Sequence, residues 1–238
     1  MKSIKALLIA CVLSLMACAE LTPYLDAGAE VANAAGYNNQ ATMVRGIKDA
    51  LALGSTRAAT QLSALGGYSN SSLYRIELPD ELETVTSTLR RFGLGGQLDQ
   101  VEALMNQGAE KAALEAKAVF VDAVRNMTVT DALGIIRGSD TAATDYFRQQ
   151  TETSLRLRYL PIIQQNLEQI GFYNQYQQFL GAYQQLPISN KPNLDLEQHV
   201  LDESLRALFS QVAVEEKLIR QDPVGRGSAL IGSVFSGQ

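Results

Sequence analysis

From residue 43 onward the apolar residues of this chain recur mostly at steps of three and four. In the stretch QATMVRGIKDALALGSTRAATQLSAL they are Met43, Ile47, Ala50, Leu51, Ala58, Leu62 and Leu65, the spacing of one helix face. Gly66 and Gly67 follow, and glycine readily takes the left-handed position that ends a helix. Residues 97–127 hold a single stripe of Leu98, Val101, Met105, Gly108, Ala112, Ala116, Val119, Ala123 and Met127. Its middle is glycine and alanine, which lets another helix approach closely. Helical patterns also fill 80–92, 140–170, 172–185 and 194–221, with Pro161 either kinking its helix or starting a new one. Asp222-Pro223 caps a last short helix. One stretch breaks the rule. In SLYRIELP (72–79), Tyr74, Ile76 and Leu78 alternate with Arg75 and Glu77, the period of an extended strand. Its partner is either the segment 185–189 or the same strand of a second copy. The pattern predicts a mainly α fold: a single helical domain of about seven or eight packed helices with one short β element near 72–79.

The N-terminus departs from this amphipathic pattern. Lys2 and Lys5 precede an apolar run over 6–17 broken only by Ser14. That run is too short to span a ~30 Å hydrocarbon core and suits a secretory leader. It ends in Leu15-Met16-Ala17-Cys18, which resembles the lipobox of bacterial lipoproteins. The resemblance implies a leader over 1–17, acylation of the Cys18 sulfur by a palmitate-class chain, and membrane attachment through that lipid. An ordinary signal peptide cut near Ala17 or Ala19 is the other reading. Ala19, in place of Asp, implies sorting to the outer membrane, with a soluble periplasmic protein as the alternative. Residues 18–38 are small and polar and read as a tether, and the helical domain runs over 39–238.

Charge and cysteine content narrow the field. Both cysteines, Cys11 and Cys18, lie at or before the expected cut, so the mature domain has no disulfide or thiol chemistry. Residues 1–17 hold two lysines and no acid, so 18 basic residues then face 25 acidic ones, a net charge of −7. An acidic chain without a basic cluster is a poor nucleic-acid binder.

The candidate chemistry is sparse. The stretch GIIRGSDTAATDYFRQQT (134–151) gathers glycine, serine, aspartate and threonine between two helical patterns. A phosphate cradle would need several glycines after a strand and a lysine, and neither is present. Gly138 sits where a helix ends and Asp140 where the next begins, so the stretch reads as a helix corner, with Asp140 accepting from first-turn amides. Thr128 and Asp131 have the spacing of a capping pair. His199 is the only histidine, which removes any two-histidine metal site. GLGGQ (93–97) lacks the third glycine of a dinucleotide fingerprint. Asp131, Asp140 and Asp145 have simpler roles than metal ligands, and no metal or cofactor is expected. Glu203-Ser204 on a helix is similar to the acid position of lytic transglycosylases, but no tryptophan is available for sugar stacking. Glu203 is the weak catalytic candidate, and enzymatic activity is left open. Phe172, Tyr173, Tyr176, Phe179, Leu180 and Tyr183 share one face of the 172–185 helix, either as core or as a ligand wall.

The run over 105–151, MNQGAEKAALEAKAVFVDAVRNMTVTDALGIIRGSDTAATDYFRQQT, resembles the signature of the bacterial DUF4197 family. So do GGYSN followed by YRIELP, LRALFSQVAVEEKLIRQDPVGR and the closing LIGSVFSG. The resemblance covers roughly 40–237 and implies a secreted or lipid-anchored, mostly helical protein. It supplies no catalytic residue and no activity.

These readings converge on a non-enzymatic envelope lipoprotein whose domain binds a protein partner or an apolar, lipid-like ligand. The expected contact surfaces are Tyr173, Tyr176, Phe179 and Tyr183, or Tyr74 and Ile76, and a homodimer is one arrangement of the latter. The alternative is a peptidoglycan-acting hydrolase using Glu203.

Overall fold

The computed structural model describes residues 22–169 and 195–235, together with 171, 173, 174, 177, 178, 181, 184 and 185; side chains are described from Gln40 onward. The chain divides into two compact units, Met1–Arg45 and Gly46–Gln238. The described part of the first unit is helical. The second contains everything discussed below.

The elements are α1 (Thr22–Ser63), a short 3-10 turn (Asp80–Leu82), α2 (Glu83–Arg91), α3 (Gly95–Ala113), α4 (Ala116–Asn126), α5 (Val129–Arg137), α6 (Ala142–Gln169), α7 (Leu196–Gln221), α8 (Pro223–Arg226) and α9 (Ala229–Phe235). The fold is mainly helical, and no strand occurs among the described residues. α6 is the hub. It packs against α7, α3, α4 and α5, while α7 also touches α3 and α8. Pro161 lies inside α6, at an exposed position, and does not start a new helix.

The small-residue stripe does what its composition predicts. A Cβ on Gly108 would stand 3.2 Å from a Leu167 methyl, so α3 and α6 meet there with no room for a side chain. The helix expected over 97–127 is tightened at Leu114 and Glu115, where the Glu115 amide donates to the Ala112 carbonyl, three residues back. Both residues keep right-handed helical angles. The buried face therefore continues from Ala112 to Ala116 and Val119. At the centre Phe120 packs against Phe147 at 4.8 Å and Phe209 at 6.2 Å between ring centroids, joining α4, α6 and α7. The Arg148 guanidinium covers the Phe209 ring at 4.5 Å. Such aromatic contacts add about 0.5–1.5 kcal/mol each beyond burial.

The β element expected at 72–79 is not seen: residues 72–74 turn and 75–79 have no regular structure and pair with no strand among the described residues, and of the expected partner 185–189 all but 185 lies outside them. The period-two pattern marks burial there. Tyr74, Ile76 and Leu78 are all within a tenth of fully buried. Side chains of α3 take the part of the missing strand. Asn106 Oδ1 accepts from the Ile76 amide at 2.9 Å and its Nδ2 donates to the Ile76 carbonyl at 2.7 Å. One turn earlier, Glu102 accepts from the Leu78 amide at 3.4 Å and from the Arg75 guanidinium at 3.0 Å. One turn later, Glu110 Oε1 accepts from the amides of Gly66, Tyr68 and Ser69 and from the Ser69 hydroxyl, at 3.1–3.3 Å. Residues 102, 106 and 110 share one helix face, so a polar ladder on α3 staples the whole 66–78 segment. His199 Nε2 meets the Glu77 carbonyl at 2.8 Å from the other side. With Pro79 lacking an amide, this leaves little edge for a second copy to pair with.

Tyr74 and Ile76, expected as a contact surface, are therefore interior residues. Their outward positions are taken by Arg75 and Glu77.

Candidate functional site

The corner at 138–144 is built from both neighbours and from a distant helix. Thr128 and Asp131 form the predicted capping box at the start of α5, with the Asp131 amide donating to Thr128 Oγ1 at 3.1 Å and the Thr128 amide to Asp131 Oδ2 at 3.0 Å. The Thr128 hydroxyl also donates to Asp131 Oδ2 at 2.7 Å, and that bond, with the one from the Thr128 amide, holds the Asp131 carboxyl below its ordinary range. Gly138 ends α5, as expected, but with extended angles (φ −82°, ψ −174°) in place of left-handed ones. Its need for glycine is steric: a Cβ would stand 2.5 Å from that of Ala142.

Asp140 does not cap α6. The carboxylate that does is Glu216 of α7, 72 and 73 residues away, which accepts from the Ala143 amide at 3.0 Å and from the Thr144 amide and hydroxyl at 2.9 and 2.8 Å. Arg220, one turn on, donates to Glu216 at 2.9 Å and to the Ile135 carbonyl at 3.0 Å. Glu216 sits in the positive end of the α6 dipole with a guanidinium behind it, which is how a buried carboxylate stays satisfied. The i,i+4 pair of Glu216 and Arg220 thus does more than support its own helix. The corner is structural.

Beside it lies a cavity of about 30 Å³ lined by Ile47, Leu51, Phe147, Val212, Glu216 and Ile219, among others. It has room for two or three waters at ~10–15 Å³ each, far less than an acyl chain needs.

The remaining sequence candidates separate clearly. Glu203 accepts from the Arg206 guanidinium at 2.8 Å, in an ion pair within its own helix. Asp145 accepts from the Thr141 hydroxyl, and no group of three or more His, Cys, Asp or Glu gathers among the described residues. Tyr173 donates to Glu197 of α7 at 2.6 Å; partial burial and that bond push its phenol pKa up. Tyr176, Phe179, Tyr183 and Cys18 lie outside the described residues. No described helix is long and apolar enough to cross a membrane.

Two open grooves remain among the described residues: one of about 510 Å³ along α6 alone, where Glu152 pairs with Arg156, and one shared with α4 and α5, which reading for catalytic motifs passed over. The latter has a volume of about 390 Å³ and is lined by α4, α6 and the start of α5. α4 contributes Asp122 and Asn126, α5 contributes Thr128 and Asp131, and α6 contributes Tyr146, Gln150, Ser154 and Arg158. The α6 residues recur every four, so they line one face. The side chains of Asn126, Gln150, Ser154 and Arg158 make no hydrogen bond or ion pair to another described residue. The Tyr146 hydroxyl makes only a long contact to the Ala123 carbonyl, at 3.5 Å. Burial and the nearby Asp131 charge raise its pKa. The groove can thus offer a phenol, two amides, a hydroxyl and charges of both signs. The missed signal was polar residues at 146, 150, 154 and 158, one position before the buried row 147, 151, 155 and 159 and so flanking it.

A family model described as a protein of unknown function, DUF4197, matches residues 37–236. The chain belongs to that family. No curated protein and no solved structure matches it.

Proposed function

We propose that this DUF4197 protein is a non-enzymatic envelope lipoprotein, tethered through Cys18, which uses the α4–α5–α6 groove to hold a partner protein on the periplasmic side of the outer membrane. The observation that carries the reading is the set of polar groove residues without partners inside the chain. The buried Glu102, Asn106, Glu110 and Glu216 are by contrast used on backbone amides inside the chain.

The binding claim is tested by placing a photo-crosslinking residue at Gln150 in the lipidated protein in cells. A discrete protein adduct, absent when the same residue replaces exposed Ser210 on α7, supports it. No adduct, or the same one from both positions, contradicts it. The anchor has its own test. Cys18→Ala should leave the precursor uncleaved by lipoprotein signal peptidase, and normal processing of that variant would remove the lipoprotein claim. For the hydrolase alternative, loss of peptidoglycan turnover in a folded Glu203→Gln protein is the result that would revive it.

A further inference from the structure

The groove has a length, a polarity and a pattern of neutral hydrogen-bonding groups, and together these describe an occupant. From Tyr146 to Arg158 the wall runs along α6 for twelve residues, about 18 Å at 1.5 Å per residue. An extended chain covers that distance in about five residues. The two ends differ in charge. At the Tyr146 end stands Asp131, close enough for its charge to act on the phenol. Asp122 is the second groove carboxylate, 3.4 Å from the exposed Arg125. At the other end stands Arg158, which has no ion-pair partner among the described residues. Between the ends, Asn126, Gln150 and Ser154 each offer both a donor and an acceptor, which suits a peptide backbone presenting N–H and C=O groups in alternation.

We infer that the groove binds an extended segment of about five residues from a partner protein, with a basic group lying toward Asp131 and an acidic group toward Arg158. A neutral oligosaccharide could meet the hydroxyl and amides but would gain nothing from opposite charges at the two ends. This inference rests on the groove being the contact surface, as proposed above, and adds what it reads.

The test uses exported, purified full-length protein and two pools of end-capped pentapeptides with randomised middle positions. One pool has lysine first and aspartate last, the other the reverse, and amide NMR shifts report binding. Because the ends are capped, either pool can lie in either direction, so the decisive comparison adds a third pool with lysine at both ends and a fourth with aspartate at both. The mixed-charge pools should shift Asn126, Gln150 and Ser154, and the two like-charge pools should do so more weakly. Arg158→Glu should move the preference to the lysine–lysine pool, and Arg158→Ala should weaken mixed-charge binding about two- to fivefold, as for an exposed ion pair. Arg158 is exposed and unpaired, so both variants should keep the wild-type circular dichroism spectrum.

Equal shifts from all four pools, or a preference unmoved by Arg158→Glu, would overturn the charge assignment. Groove shifts from a neutral tetrasaccharide and none from any peptide would overturn the peptide and leave the groove as a site. No groove shifts from peptides or saccharide overturn the inference, and the Gln150 adduct then decides separately whether the groove is a contact surface at all.

Discussion

Glu102, Asn106 and Glu110 on α3 and Asn126, Gln150, Ser154 and Arg158 around the α4–α6 groove are residues of similar kinds in opposite situations. The first set is buried and bonded to the backbone of 66–78. The second is exposed, and its side chains bond to nothing else described. A buried amide or carbonyl without a partner costs about 1–3 kcal/mol, so each staple residue holds a segment that would otherwise need a second strand. A groove residue leaves no orphan when it is removed. The difference separates polar residues that make the fold from those that face outward, a distinction that residue type alone does not provide.

The comparison can be broken most forcefully at α7. Glu216→Ala should destabilise the protein by about 3–5 kcal/mol, because it strips the α6 amides and takes a buried carboxylate from its guanidinium. Urea unfolding reads this, and a loss under about 1 kcal/mol would show that the α6 cap is dispensable. Asn106→Leu keeps the volume but leaves the Ile76 amide and carbonyl unpaired, with an expected loss of about 2–3 kcal/mol. Gly138→Ala drives a methyl toward Ala142 and should cost about 1–2 kcal/mol. Gln150→Ala and Arg158→Ala should change stability by no more than about 0.5 kcal/mol while weakening partner capture; a large loss of stability would move them into the first class.

The smallest effect concerns the capping box. Thr128 holds the Asp131 carboxyl below its ordinary value. A depressed carboxylate contributes stability that is present above the unfolded value near ~3.9 and is lost as the pH falls through the folded one. Carboxyl NMR should show Asp131 titrating below that range in the wild type and returning toward it in Thr128→Ala. An unchanged midpoint would mean that the box does not act on the charge.

How much of this was legible in sequence followed from distance along the chain. The Thr128–Asp131 box spans three residues, and its spacing predicted it. The apolar stripe through Gly108 and Ala112 predicted the close approach of a helix, because small residues at helical period have few other uses. The alternation over 72–79 was legible too, but it reports which side chains are buried and not what the backbone bonds to. Its partners, Glu102 and Asn106, lie 24 and 30 residues away and act through side chains. Asp140 looked like the α6 cap because it is adjacent, whereas Glu216 reaches the same amides across 72–73 residues. The groove left only a faint trace, polar residues every four positions on α6, a spacing equally suited to a plain solvated face.

The measurement that reaches the central claim most directly is hydrogen–deuterium exchange on the lipidated protein in isolated envelopes, compared with the purified protein. A partner in the groove should slow exchange in peptides from 119–131 and 146–158, with α7 unchanged. Equal exchange in those two segments, or protection confined to α7, would contradict the assignment of the groove as the contact surface.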